Sequence, residues 1–217
     1  NSQASIVLSM KDYLMYKNGE KKILSAGSSK NSIAEWITMN PSYLELNPNQ
    51  TQEVEITMQA PNDEYSSKWG ILSVATTKEQ TSFDADKQLT AGLNIYGRID
   101  VKLSYTPKSE GTSRIQISNL REVTQPKDSI RKFAANIDNL GNTITNCKIY
   151  LIASNLQTLQ EKKFPTLNLK AYPQSTRNVE LKLPTDKLSS GTYSLSAILD
   201  YGSSKALEGT QITVEVE

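Results

Sequence analysis

The sequence contains no histidine and only one cysteine, Cys147. Without histidine the chain cannot form a Ser-His-Asp or Cys-His catalytic arrangement, and it offers no imidazole for acid–base chemistry or metal binding. One cysteine can form neither an internal disulfide nor a thiolate zinc cluster. We therefore expect a protein that is not an enzyme, that needs no cofactor and no metal, and in which Cys147 is a buried, inert thiol.

The chain also lacks an excess of charge of either sign and has no long apolar run. Lysine plus arginine number 24 and aspartate plus glutamate 23, which gives a net charge of +1. Because nucleic acids attract proteins through basic surfaces, we expect no nucleic-acid partner. No apolar stretch approaches the roughly 20 residues that a membrane-spanning helix needs, so we expect no transmembrane segment in this portion.

What the chain does contain is an internal repeat. Residues 47–56 have the sequence NPNQTQEVEI and residues 172–181 have YPQSTRNVEL, so that Pro48 matches Pro173. Further on, PNDEYSS at 61–67 matches PTDKLSS at 184–190 at nearly the same spacing. Two matched blocks predict two homologous domains of roughly 100 residues each.

The segments between turn residues alternate polar and apolar side chains. Residues 51–58 do so through Val54, Ile56 and Met58, and residues 210–217 place Ile212, Val214 and Val216 on one face. A period of two predicts strands with one buried and one solvated face. Such strands, separated by Asn, Gly, Pro and Ser clusters about every ten residues, predict an all-β fold of two tandem immunoglobulin-like β-sandwiches.

The boundary between the two domains is predicted at the polar segment TPKSEGTS, residues 106–113, which contains both Pro and Gly. We assign residues 1–107 to the first sandwich and 108–217 to the second. The second half has a complete set of strand signals. Its segment LSSGTYSL, residues 188–195, resembles the tyrosine corner of immunoglobulin-like domains, with Tyr193 in the core and Leu195 where an antibody domain has a cysteine.

The first half lacks counterparts of the first two strands of the second half. If Asn1 corresponds to the turn at Asn139, nothing matches residues 114–138. A sandwich without two strands exposes core residues and unpaired edges. We expect either that residues upstream of Asn1 supply these strands or that another chain does.

Several motifs in the first half resemble a known family. These are AEWITMNP at 34–41, LELNPNQ at 44–50, the strand 54–58, PNDE at 61–64 and KLSYTP at 102–107. In this order they resemble the N-terminal domain of the PapD-like periplasmic pilus chaperones. Asn49 stands where that family usually has glycine in the turn. The second half is more similar to generic bacterial immunoglobulin-like envelope domains.

The resemblance implies a function and a site. Chaperones of that family complete a pilus subunit by offering it an alternating strand with a free edge, a form of β-augmentation. The matching strand here is residues 93–103, and Gly97 interrupts its apolar face and predicts a bulge or a close approach. Lys102 matches the lysine that holds the client's terminal carboxylate. The resemblance thus implies a partner-binding site made of Leu93, Ile95, Ile99, Val101, Lys102 and Leu103.

We therefore predict a chaperone-like protein of the bacterial periplasm or cell surface that binds subunits of the envelope or a pilus. A structural or adhesive surface protein, with the sandwiches as spacers or ligand-binding modules, is the alternative. In that case strand 93–103 buries its apolar face in its own core and Lys102 is a solvated surface lysine. A carbohydrate-binding module is a third possibility, which requires exposed aromatic side chains, and for these only Trp36, Trp69 and the tyrosines are available.

Overall fold

The computed structural model describes residues 3–77, 97–108, 111–202 and 204–216. The chain divides into two compact units. The first comprises Asn1–Leu14, Lys22–Glu64 and Lys68–Tyr105, and the second comprises Met15–Lys21, Tyr65–Ser67 and Thr106–Glu217. The predicted domain boundary at residue 107 stays a prediction.

The described residues of the first unit form two antiparallel sheets. The larger consists of β1 (Ala4–Met15), β2 (Lys21–Ser25), β4 (Tyr43–Leu46), β6 (Lys68–Thr77) and β7 (Arg98–Tyr105), in the order β2-β1-β6-β7 with β4 also on β1. The smaller pairs β3 (Ile37–Asn40) with β5 (Glu55–Met58). A short 3-10 helix, Ala34–Trp36, precedes β3.

The second unit has one sheet of three strands and one of five. The three-stranded sheet has the order β13 (Ser175–Leu183), β9 (Arg131–Asn139), β8 (Ile115–Glu122). The other contains β10 (Thr145–Asn155), β11 (Glu161–Lys163), β12 (Leu167–Ala171), β14 (Gly191–Asp200) and β15 (Glu208–Val216). A 3-10 helix, Thr185–Lys187, lies between β13 and β14. The prediction of an all-β protein with two immunoglobulin-like sandwiches is confirmed.

The core of the second unit follows from the alternation in its sequence. Phe133, Ile137, Ile149 and Leu195 are fully buried between the two sheets. Val214 and Val216 are buried as their alternation predicts, while Ile212 is only partly buried. The tyrosine corner is also confirmed, because the Tyr193 hydroxyl donates to the Ser189 carbonyl at 2.9 Å.

Cys147 lies in β10 and is 2% exposed. The predicted burial of this thiol is therefore confirmed. Its surroundings are apolar core, and burial raises the pKa of the Cys147 thiol to about 11.

The core of the first unit is much smaller. Within the described part of the unit, its central cluster of buried apolar side chains consists of Leu8, Met10, Ile33, Ile37 and Leu72. Partly buried residues, among them Trp36, Leu103 and Tyr105, pack against this cluster.

Strand β5 departs from its predicted burial. Ile56 and Met58 are 44% and 47% exposed, although alternation predicts that they are buried. They lie opposite Met39 and Ile37 in the β3–β5 register, so they point to the same face as these covered residues. Among the described residues β5 pairs only with β3, and no strand covers its second edge. The prediction fails because alternation defines a face without showing that anything packs on it.

Asp12 holds a loop of the first unit in place. This carboxylate on β1 is fully buried. It accepts hydrogen bonds from the Ser29 backbone N–H at 2.8 Å and from the Ser32 hydroxyl at 2.6 Å. Because buried carboxylates need such donors, the segment around Ser29 is fixed to β1.

Candidate functional site

Strand β7 is an edge strand of the first unit. It pairs antiparallel with β6, from Lys68 opposite Tyr105 to Ala75 opposite Arg98. Among the described residues no second strand pairs with it. Its outer edge therefore presents backbone N–H and C=O groups that can pair with a further strand.

The odd-numbered residues of β7 share the inner face of the sheet. Leu103 lies opposite Gly70, Val101 opposite Leu72 and Ile99 opposite Val74. Facing side chains in an antiparallel pair lie on the same side of the sheet, so all three point toward the small core.

Exposure increases along this face toward the beginning of β7. Leu103 is partly buried and packs against the core cluster. Val101 is 43% exposed and Ile99 is 67% exposed. The core cluster thus covers one end of the strand, and the other end presents two large aliphatic side chains to solvent beside an edge with which no described strand pairs.

The even-numbered residues form the polar face. The Arg98 guanidinium and the Asp100 carboxylate form an ion pair at 3.1 Å. Lys102 follows on the same face, lies opposite Ile71 and is exposed. The site residues Ile99, Val101, Lys102 and Leu103 are therefore on one strand, with Lys102 on the opposite face from the other three. Leu93 and Ile95 lie outside the described residues.

Gly97 does not make the predicted close approach. A Cβ added to Gly97 would meet only the Thr76 methyl group, at 4.0 Å. The Thr76 N–H donates to the Gly97 carbonyl at 3.0 Å, and the Gly97 N–H donates to the Thr76 hydroxyl, also at 3.0 Å. The prediction of a close approach is therefore wrong, while a bulge stays a prediction because residues 91–96 lie outside the described residues.

The same site includes a feature that the sequence analysis missed. Ile56 and Met58 on β5 also present apolar side chains from the inner face of their sheet. A sequence signal for it exists, because residues 114–138, which include β8 and most of β9, have no counterpart in the first half.

The two tryptophans are packing residues. Trp69 is 4% exposed, and its indole N–H donates to the Tyr13 carbonyl at 3.0 Å. Trp36 is half-buried and meets the Tyr105 ring edge-on, with a centroid distance of 5.4 Å. Neither forms the exposed aromatic platform that a carbohydrate-binding module requires.

In residues 3–77, 97–108, 111–202 and 204–216 no group of three or more histidine, cysteine, aspartate or glutamate side chains is placed to hold a metal ion. Within the same ranges no helix is long and apolar enough to cross a membrane.

Comparisons with known proteins give structural likeness only. No protein-family model and no curated protein matches the sequence. Among solved structures, the fold is similar to a chaperone–tip adhesin complex of CFA/I fimbriae, at 12% identity and a TM-score of 0.49, over 98% of this chain and 85% of that one. It is also similar to the class 5 fimbriae chaperone CfaA, at 13% identity and a TM-score of 0.47, over 98% of this chain and 86% of that one.

Proposed function

We propose that the protein is a non-enzymatic, chaperone-like protein of the bacterial periplasm or cell surface that binds envelope or pilus subunits by β-strand addition. The observation that carries this proposal is the combination of exposed Ile99 and Val101 with a β7 edge that no other strand of the described residues joins. Main-chain hydrogen bonds along such an edge provide affinity, and alternate side chains that fill pockets of the client provide specificity.

Lys102 has a distinct role in this proposal. It is exposed on the polar face of β7, so an incoming chain can reach its ammonium group. A lysine acts as a point charge with three donors, which suits a carboxylate at the end of a client chain. The apolar face would then hold the client's sandwich and Lys102 would hold its terminus.

The test uses the whole chain as bait for purified pilus or envelope subunits from its source. Ile99→Asp and Lys102→Ala should each abolish or strongly weaken capture. Ile23→Asp is the matched control, because it introduces the same charge at an exposed isoleucine on β2, at the opposite end of the strand order from β7. Each variant is first shown to unfold cooperatively like the parent chain.

Amide hydrogen exchange separates strand addition from other modes of binding. In the complex, exchange along residues 98–105 should slow, because the edge amides gain partners. Capture that is equal for all three variants, or capture without protection of β7, would contradict the proposal. A spacer or adhesive module would capture no subunit and show unchanged exchange.

A further inference from the structure

The second unit contains a guanidinium group with one unsatisfied nitrogen. Arg177 is on β13, opposite Ile137 of β9 and on the same inward face as the buried Val179. Its Nη1 atom is buried and has no hydrogen-bond partner among the described residues, while the residue as a whole is only partly buried. Burial lowers the pKa of Arg177, although an arginine remains charged at any physiological pH. A partly buried cation that is not fully hydrogen-bonded favours an anion beside it.

The loop Met15–Lys21, which belongs to the second unit, lies over one side of this guanidinium. The Gly19 N–H donates to the Tyr16 carbonyl at 2.8 Å, and the Asn178 N–H of β13 donates to the Lys17 carbonyl at 2.7 Å. Gly19 has φ +87°, and a Cβ there would overlap the Arg177 guanidinium. Glycine is thus required both by the backbone conformation and by the space that the arginine occupies.

Arg177 also lines a cavity of about 440 Å³ whose other walls are mainly apolar. This volume lies in the range of roughly 300–1,000 Å³ that is typical of ligand sites. The lining includes Asn18, Leu167, Leu169, Arg177, Val179 and Glu180.

Glu180 does not neutralise Arg177. The two residues are three positions apart on β13, so their side chains leave opposite faces of the strand. Among the described ion pairs none joins Arg177 to Glu180. The positive charge at the cavity therefore stays available to a ligand.

Backbone groups of the strands that line the cavity can also pair with a ligand. Most of its lining comes from β12 and β13, which are edge strands of the two sheets of the second unit, and Asn18 and Ala134 complete it. In the described part of the chain β12 pairs only with β10, and β13 pairs only with β9. The bond from Asn178 to Lys17 shows that the β13 edge accepts main-chain pairing from a segment outside its sheet.

We propose that this cavity binds a short extended peptide segment that carries an acidic side chain next to apolar ones. The carboxylate would accept hydrogen bonds from the Arg177 guanidinium, which supplies the charge complementarity. Apolar neighbours would contact Leu167, Leu169 and Val179, while the peptide backbone pairs with the edge of β12 or β13. This site is separate from β7 and does not rest on the proposed function.

The experiment measures the binding of blocked tripeptides to the full chain by titration calorimetry. The probe is acetyl-Leu-Glu-Leu-amide, and its neutral match is acetyl-Leu-Gln-Leu-amide. We expect the acidic peptide to bind about ten- to a hundredfold more tightly, the effect of one charged hydrogen-bonded pair. Equal binding of the two peptides, or no binding at millimolar concentration, would overturn the proposal. N-acetyl-leucine that binds as tightly as the acidic tripeptide would overturn the peptide assignment.

Variants of the chain locate the site. Arg177→Gln should remove the preference for the acidic peptide, and Arg177→Lys should retain part of it. Lys182→Gln removes the same charge from an exposed residue of β13 and should leave binding unchanged. Gly19→Ala should weaken binding, because the added Cβ displaces the guanidinium. If Lys182→Gln weakens binding as much as Arg177→Gln, the preference is a general charge effect and the proposal is wrong.

Discussion

Val101 and Leu72 lie directly opposite each other in the β6–β7 register, yet Leu72 is 4% exposed and Val101 is 43% exposed. The two side chains point to the same face of one sheet and differ only in the strand that carries them. The inner face of the first unit is therefore covered at Leu72 of β6 and open at Ile99 and Val101 of β7. This difference is what makes β7 a candidate binding strand.

This difference in exposure should appear in the free energies of unfolding of variants on the two strands. Ile99→Asp is expected to cost less than about 1 kcal/mol, because a side chain that is already mostly exposed loses little burial. Leu72→Ala should cost roughly 2–5 kcal/mol, since it removes a buried side chain and leaves a cavity. Denaturant unfolding of the two variants checks both values. If Ile99→Asp is as destabilising as Leu72→Ala, Ile99 is covered in solution and the β7 face is not free.

The buried carboxylate of Asp12 gives a second prediction. Asp12→Ala leaves the Ser29 N–H and the Ser32 hydroxyl without their acceptor inside the protein, which should cost roughly 2–4 kcal/mol. Asp63→Ala is the control, because Asp63 is exposed and should change the free energy of unfolding by less than about 0.5 kcal/mol. Equal effects of the two changes would show that Asp12 does not anchor the loop.

The sequence predicted the fold well where local signals and long-range packing agree. In the second unit, the alternation in residues 210–217 and the tyrosine corner at Tyr193 each correspond to the observed strand or contact. Both signals are local, and both sheets of that unit are complete enough to bury the predicted faces.

The sequence predicted the candidate site less well. Alternation placed Ile56 and Met58 on an inner face but could not show that this face is uncovered. It identified the strand of Ile99 and Val101 without deciding between a core strand and an exposed edge. The anchoring role of Asp12 could not be predicted from the sequence, because its hydrogen-bond donors lie 17 and 20 residues away along the chain.

The tyrosine corner should make a measurable contribution to stability. Tyr193→Phe removes the hydroxyl that donates to the Ser189 carbonyl at 2.9 Å and keeps the buried ring. The expected loss is about 1–2 kcal/mol, the usual value for one hydrogen bond whose acceptor becomes unpaired. Tyr16→Phe, at an exposed tyrosine, should have almost no effect. Comparable losses in both variants would contradict a role for the corner.

The thiol of Cys147 should be unreactive in the folded protein. Burial raises its pKa from 9.0 to about 11, and only the thiolate reacts with iodoacetamide. At pH 8 the shift alone lowers the thiolate fraction about a hundredfold, and burial slows the reagent further. Mass spectrometry should find Cys147 unmodified in buffer and alkylated in guanidinium chloride. Rapid alkylation of the folded chain would show that β10 opens readily.

The same shift sets the sign of a pH effect on stability. The folded thiol holds its proton more tightly than the unfolded one. The contribution of the buried thiol to the free energy of unfolding is therefore fully present below pH 9 and is lost as the pH rises from 9 toward 11. The loss has an upper limit of roughly 3 kcal/mol. Cys147→Ala removes the titrating group, so its unfolding free energy should fall less steeply over this interval than that of the parent chain. Parallel curves for the two proteins would contradict the burial of the thiol.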